Sequence, residues 1–233
     1  MINKHIKLIF PFLLTFISLQ SMGQVGELRD NFSVGFNGGV NYSNVTFEPY
    51  KIKQNGLMGF SGGLTARYIS EKYFAMICGI QLEINYSQRG WDEKFEDEPQ
   101  YSYSHTMNYL EIPLLAHLAF GKERGARFFL NMGPQIGFLL SESEKISNPF
   151  NPTIIKGGTK EQYGKMADKK FDYGITGGLG LEIRTKSIGN FLLEGRYYFG
   201  LSDFYNNTKK DVFSRSAHTV IMGKLTYLFD LRK

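Results

Sequence analysis

Ser104-His105 follows closely on an acidic stretch, DEKFEDEP (92–99), so a hydroxyl, an imidazole and carboxylates lie near one another in the chain. Those are the ingredients of nucleophilic hydrolysis, which also needs the base oriented by a third group. The surrounding sequence has no Gly-x-Ser-x-Gly elbow and no acid at a spacing that would orient His105. The acidic stretch offers oxygen ligands to a hard cation, but its spacing fits no defined calcium loop and reads as a solvated turn. Gly174, Gly177, Gly178 and Gly180 resemble a dinucleotide loop only superficially, since that fingerprint requires a strand, a turn and then a helix, and no helix follows. His117 and His218 lie inside strand patterns and read as hydrogen-bonding interior groups. Cys78, the one cysteine, has no partner for an intramolecular disulfide and reads as a small hydrophobe. The expectation is a protein without enzymatic activity: no catalytic, cofactor-binding or metal-ligating residues, and no cofactor.

The elements that carry these residues show a period of two, the mark of half-buried strands. Phe32, Val34 and Phe36 alternate with Ser33, Gly35 and Asn37; Ile80, Leu82 and Ile84 alternate with Gln81, Glu83 and Asn85. The same beat recurs in segments centred near residues 63, 114, 135, 178, 196 and 223, giving eight strands in all. Connections 42–57, 90–104, 142–170 and 203–215 are long and polar, whereas 70–73, 121–126 and 185–190 are short. An even strand count with short turns at one end and long loops at the other is the plan of an outer-membrane barrel.

Ahead of the strands, Lys4 and Lys7 precede the apolar run 8–19, and Ser21-Met22-Gly23 precedes Gln24. That order of basic, apolar and small residues is a secretory signal peptide, too short to span a bilayer. The domain reading is therefore a signal peptide over 1–23 and a barrel over 24–233. No cysteine follows the cut, which argues against a lipid anchor. The formal charge of +5 is scattered and includes no Lys/Arg run, which excludes a nucleic-acid footprint. Aromatics at 15% and 26 glycines suit strands that pack tightly.

Alternation alone does not say which face points out. The polar face is mostly Gly, Ser, Asn and Gln, small enough for the interior of a narrow eight-stranded barrel, while bulky apolar residues stand on the other face of every strand. The reading is an all-β fold: an eight-stranded antiparallel up-and-down transmembrane β-barrel in the bacterial outer membrane. Its lumen would hold a structural polar network of Arg67, Glu83, Glu111, Glu182, Arg184, Glu194, Arg196 and Lys224, whose charges need partners once shut away from water. Aromatics near strand ends, among them Tyr42, Phe74, Tyr86, Trp91, Phe120, Phe171, Phe191 and Tyr205, are expected to form the interface girdles.

Three short features add a resemblance. The run Tyr109-Leu110-Glu111-Ile112-Pro113-Leu114-Leu115, the glycine-spaced VGFNGGVNYS of the first strand, and Gly133-Pro134 followed by Gly137-Phe138-Leu139-Leu140-Ser141 resemble the PorT-like outer-membrane β-barrel family of Bacteroidetes. The resemblance implies an eight-stranded barrel, and in one branch of that family a part in protein secretion. Three functions stay open: a barrel that displays long loops, as an accessory of a PorT-type secretion system; a narrow porin-like channel, against which the matched lumen charges argue; and a lipid-directed enzyme. The partners expected are outer-membrane lipid and lipopolysaccharide, which the six lysines of 142–170 could meet, and secretion or other envelope proteins reached through the loops.

Overall fold

The computed structural model describes residues 27–96, 99–121, 125–147, 159–185, 189–208 and 211–232; the expected leader, 1–23, lies outside them. Eight strands follow one another: β1 (Glu27–Glu48), β2 (Leu57–Tyr73), β3 (Met76–Glu93), β4 (Tyr103–Gly121), β5 (Gly125–Ile146), β6 (Phe171–Arg184), β7 (Asn190–Gly200) and β8 (Arg215–Arg232). Each pairs antiparallel with its neighbours in sequence, and β8 returns to β1, so the sheet closes into a barrel with no free edge along the ring.

The alternation read from the sequence becomes an inside-out distribution. Ser33, Gln81, Ser87 and Asn131 have no exposed surface, while Phe60 is 69% and Leu225 65% exposed. A chain in water does not leave an apolar ring of this extent uncovered; a bilayer core does cover it, and closed barrels satisfy their backbone within lipid.

The strands run further than their periodicity suggests. Segments 42–48, 90–93 and 142–146 were expected in loops but extend β1, β3 and β5. At about 3.3 Å per residue and the usual tilt, the 22-residue β1 and β5 rise roughly 50 Å, about twice the height of an outer-membrane lipid band. The wall is therefore tall on one side. The β5–β6 ladder stops at Phe138↔Phe171 and β7 ends at Gly200, whereas β3, β4 and β5 stay paired up to Glu93↔Tyr103 and Tyr103↔Ile146.

One irregularity governs this extension. Asn108 pairs with Ser141 and Tyr109 with Leu139, so Leu140 is an extra residue on β5. A bulge inverts the parity of the strand beyond it. Odd residues of β5 face inward up to Leu139; above it Glu142 and Glu144 turn inward and Ser141, Ser143 and Lys145 turn outward. At the other end the β2–β3 turn is tighter and later than the expected 70–73, with Phe74 in the left-handed region at φ 52°.

Candidate functional site

The interior is stratified. Ile69, Ile77, Ala119, Phe129, Leu192 and Leu228 form an apolar floor near the short turns. Above them lies a charged layer, placed by the inward positions of all but one of the strands. Arg196 on β7 forks onto Glu83 of β3 with two bonds of 2.9 Å, and donates twice more to Glu194 at 2.9 Å. Glu83 also accepts from Lys224 of β8, from Gln81 at 2.7 Å and from Asn85 at 2.9 Å. Arg67 on β2 donates to Glu182 of β6 at 2.8 Å, and Arg127 lies 3.7 Å from the other oxygen of that carboxylate.

His117 joins the two clusters. Arg67 approaches its Nε2 at 3.5 Å, so Nδ1 carries the proton and donates to the Asn131 side-chain oxygen at 2.7 Å. The Asn131 amide then donates to Glu194 at 3.2 Å. Higher up, the Arg89 guanidinium bonds Asp172 at 2.8 Å, lies 3.1 Å from Glu111 and sits 3.9 Å over the Tyr109 ring. Tyr198 donates to Asp172 at 2.7 Å, and Tyr109 meets His218 Nε2 at 3.3 Å.

In a ring of eight, β2 faces β6, β3 faces β7 and β4 faces β8. Arg67–Glu182, Arg196–Glu83 and Tyr109–His218 are therefore struts across the full diameter, one for each of three opposed pairs of strands. The buried charges balance among the described residues: Arg67, Arg89, Arg127, Arg196 and Lys224 against Glu83, Glu111, Asp172, Glu182 and Glu194. Small residues leave room for these long groups. A Cβ on Gly178 would stand 2.4 Å from a Glu194 oxygen, and one on Gly174 would stand 2.7 Å from the Tyr198 hydroxyl.

A lid of aromatic residues closes the top. Phe47, Trp91, Tyr103, Phe204, Tyr205 and Phe213 are buried together, with Phe47 edge-on to Trp91 at 5.2 Å and Trp91 stacked on His105 at 4.5 Å. The notch above short β6 and β7 is filled by segments 159–170, 201–208 and 211–214. Lys169 N–H bonds the Phe204 carbonyl at 3.0 Å, and Phe204 N–H bonds the Ser216 carbonyl at 3.1 Å. Three carboxylates clasp the first segment. Glu142 accepts from Ala167 N–H at 3.1 Å and Glu144 from Gly164 N–H at 3.1 Å; Glu93 accepts from Tyr163 at 3.0 Å and Gln162 at 3.3 Å. Burial holds the Glu93 carboxyl above the ordinary glutamate range.

Of the eight residues assigned to the lumen network by sequence, seven are buried there. Arg67 and Glu182 form one cluster, Glu83, Glu194, Arg196 and Lys224 another, and Glu111 lies beside Arg89. Arg184 stands apart, at the short-turn rim, a quarter exposed and paired with Asp230 at 3.0 Å. Among the described residues, three buried charges lie outside the expected set: Arg89, Arg127 and Asp172. Arg89 and Arg127 continue the inward alternation of their strands by one or two steps past the expected segments (from Ser87, and back from Asn131), and Asp172 already stands on the inward beat of the sixth segment, which are the signals that find them. Trp91 and Tyr205 are no part of an interface girdle: both are fully buried in the lid, because β3 continues and the 201–208 segment folds inward.

His105 does meet acids, from a neighbouring strand: Glu142 at 3.0 Å and Glu144 at 3.3 Å. The bulge at Leu140 sends them inward, so spacing along the chain gave no hint of them. Ser104 lies on the opposite face of β4, in register with Lys145, so the structure does not bring its hydroxyl to the imidazole. Within the acidic stretch Glu96 pairs with Lys53 and Lys94 in solvent, and 97–98 lie outside the described residues. Among the described residues no group of three or more His, Cys, Asp or Glu is arranged to hold a metal ion.

A family model described as an outer membrane protein beta-barrel domain matches residues 20–206. Solved structures similar to the chain include OprG of Pseudomonas aeruginosa (12% identity, 88% of this chain and 98% of that one, TM-score 0.44). Ail of Yersinia pestis is 15% identical over 86% of this chain and all of that one (100%), with a TM-score of 0.40. Neisserial surface protein A is 11% identical over 85% of this chain and 97% of that one, also at 0.40. No curated protein matches the chain significantly.

Proposed function

The chain belongs to the family of outer membrane proteins with this β-barrel domain and resides in the bacterial outer membrane, and from that premise we propose that it is a non-conducting, non-enzymatic barrel that displays its lidded outer rim to another envelope protein. The observation that carries the reading is the set of diametric struts. Eight strands enclose a lumen that side chains can fill, and here Arg67–Glu182, Arg196–Glu83 and Tyr109–His218 cross it at successive heights between an apolar floor and an aromatic lid. A neutral, cross-braced interior is a stopper with no water column for ions. The network is structural: its charges are consumed by one another, and none faces an opening where a substrate could reach it.

The partner in this reading is a protein of the envelope, reached through the connections above the lid. A PorT-type secretion system is the assembly that the Tyr109–Leu115 run and the Gly133-Pro134 strand favour. The test has two arms. In planar bilayers the purified barrel should show no sustained single-channel steps, and steady conductance from a homogeneous preparation would overturn the stopper in favour of a pore. In cells, photo-crosslinkers at Tyr50 and Asn207 should capture one dominant envelope protein. Labelling of lipid alone would overturn the display role.

A further inference from the structure

The extension of β3, β4 and β5 above the apolar band has two unlike faces. Its inner face carries Arg89, Glu93, His105, Glu142 and Glu144 together with the aromatic lid. Its outer face carries Gln88 on β3, Ser104, Thr106 and Asn108 on β4, and Ser141 and Ser143 on β5. They form rows across the sheet, Gln88↔Asn108↔Ser141 and then Thr106↔Ser143. The only charges on this face, Asp92 and Lys145, sit in its top row, on either side of Ser104.

That partition is the reverse of what water selects. Ionisable side chains are the most exposed residues of a water-soluble surface, and uncharged ones have no reason to displace them there. Here the acids are turned inward by one extra residue: without the bulge at Leu140, Glu142 and Glu144 would point out of the barrel and Ser141 and Ser143 into it. The outer face also continues an established interface. Directly below it, Tyr86, Leu110 and Phe138 in one row, with the exposed bulge residue Leu140 just above Phe138, are the last outward apolar residues of the lipid-facing band. What lies against the wall just above the acyl chains of the outer leaflet is the saccharide of its glycolipid, a dense array of neutral hydroxyls carrying anionic groups.

We propose that the outward face of the β3–β4–β5 extension binds the headgroup sugars of lipopolysaccharide in the outer leaflet. Hydroxyl and carboxamide side chains donate to and accept from sugar hydroxyls. With Glu142 and Glu144 turned inward, the face keeps one carboxylate, Asp92 in its top row, which limits repulsion of the anionic groups among them, and Lys145 in the same row supplies a cation. The tall side of the wall is thus the side dressed for glycan, and the low side above β6 and β7 is closed by the clasped segments instead.

The test compares rough lipopolysaccharide, deep-rough lipopolysaccharide lacking the outer core sugars, and phosphatidylethanolamine, each added to the full barrel in detergent. Rough lipopolysaccharide should raise the unfolding temperature most, with deep-rough material and phospholipid giving progressively less. Thr106→Glu, placed in the middle of the face, should weaken binding of the rough form about ten-fold while leaving the heat-dependent gel shift intact. Ser143→Val, which removes a hydroxyl without adding charge, serves as the readout should the glutamate variant not fold. Equal protection by rough and deep-rough forms, or rough-form binding unchanged in the variant that folds, would overturn the proposal.

Discussion

Replacing Glu83 by leucine removes the anion on which most of the charged layer converges. Arg196 would keep two bonds to Glu194, but Lys224, 2% exposed, would lose the carboxylate it is bonded to. Removing one partner of a buried pair costs about 3–5 kcal/mol because the other charge is stranded. One stranded ammonium, with Arg196 partly compensated, puts Glu83→Leu in that range. The double variant Glu83→Leu/Lys224→Met removes both charges and should recover more than half of the loss, since a buried pair exchanged for apolar side chains is often neutral. Urea unfolding of the barrel in lipid vesicles measures this, with the heat-dependent gel shift reporting the barrel and Trp91, the one tryptophan, reporting the lid. A loss below about 1 kcal/mol would mean that water already solvates Lys224. That result, or a double variant no better than the single, would refute the argument that the layer is a dry stopper.

Two further predictions concern the lid. Trp91→Ala deletes a large, wholly buried side chain packed on Phe47 and His105 and should destabilise the lid by about 3–5 kcal/mol. Proteolysis within 159–170 and 201–214 should accelerate while the gel shift of the barrel persists; unchanged cleavage would refute the lid as a packed unit. The raised pKa of Glu93 means that the folded form holds this proton more tightly than the unfolded chain does. Its contribution is therefore complete below the unfolded glutamate value and fades as pH climbs through the folded one. Segment 159–170 should be cleaved more slowly at about pH 5 than at about pH 8, and Glu93→Gln should remove that difference. Equal rates for the unmodified protein at both values would contradict this.

The strand count, the antiparallel order and the choice of face were all legible in the residues. Period-two alternation is a local property, and within the lipid band polar residues fit only the inside of the barrel, so Phe36, Leu64 and Leu225 had to face lipid and Ser33, Gln81 and Asn131 the lumen. Most members of the charged network could be named for the same reason, because a charge on an inward position of a closed ring has nowhere else to go. Strand ends were less legible. Above the lipid band a strand no longer alternates apolar with polar, so GWDE on β3 and SESEKI on β5 read as loop although the backbone ladder continues through them.

Pairing was outside the reach of the sequence. Which cation meets which carboxylate depends on strands that oppose one another across the ring: Arg196 finds Glu83 more than a hundred residues away, and Arg67 finds Glu182 likewise. The bulge at Leu140 is equally invisible locally, since Leu139-Leu140-Ser141 fits either parity and only register against Tyr109 and Asn108 selects one. That choice points Glu142 and Glu144 at His105 and turns Ser141 and Ser143 outward, deciding what each face of the tall wall can bind. The sequence thus determined the barrel and which residues face inward, because those follow from side-chain polarity and a repeat of two. Only tertiary structure decided the struts, the lid and the two-faced extension, because those follow from closure of the ring and from one extra residue in the ladder.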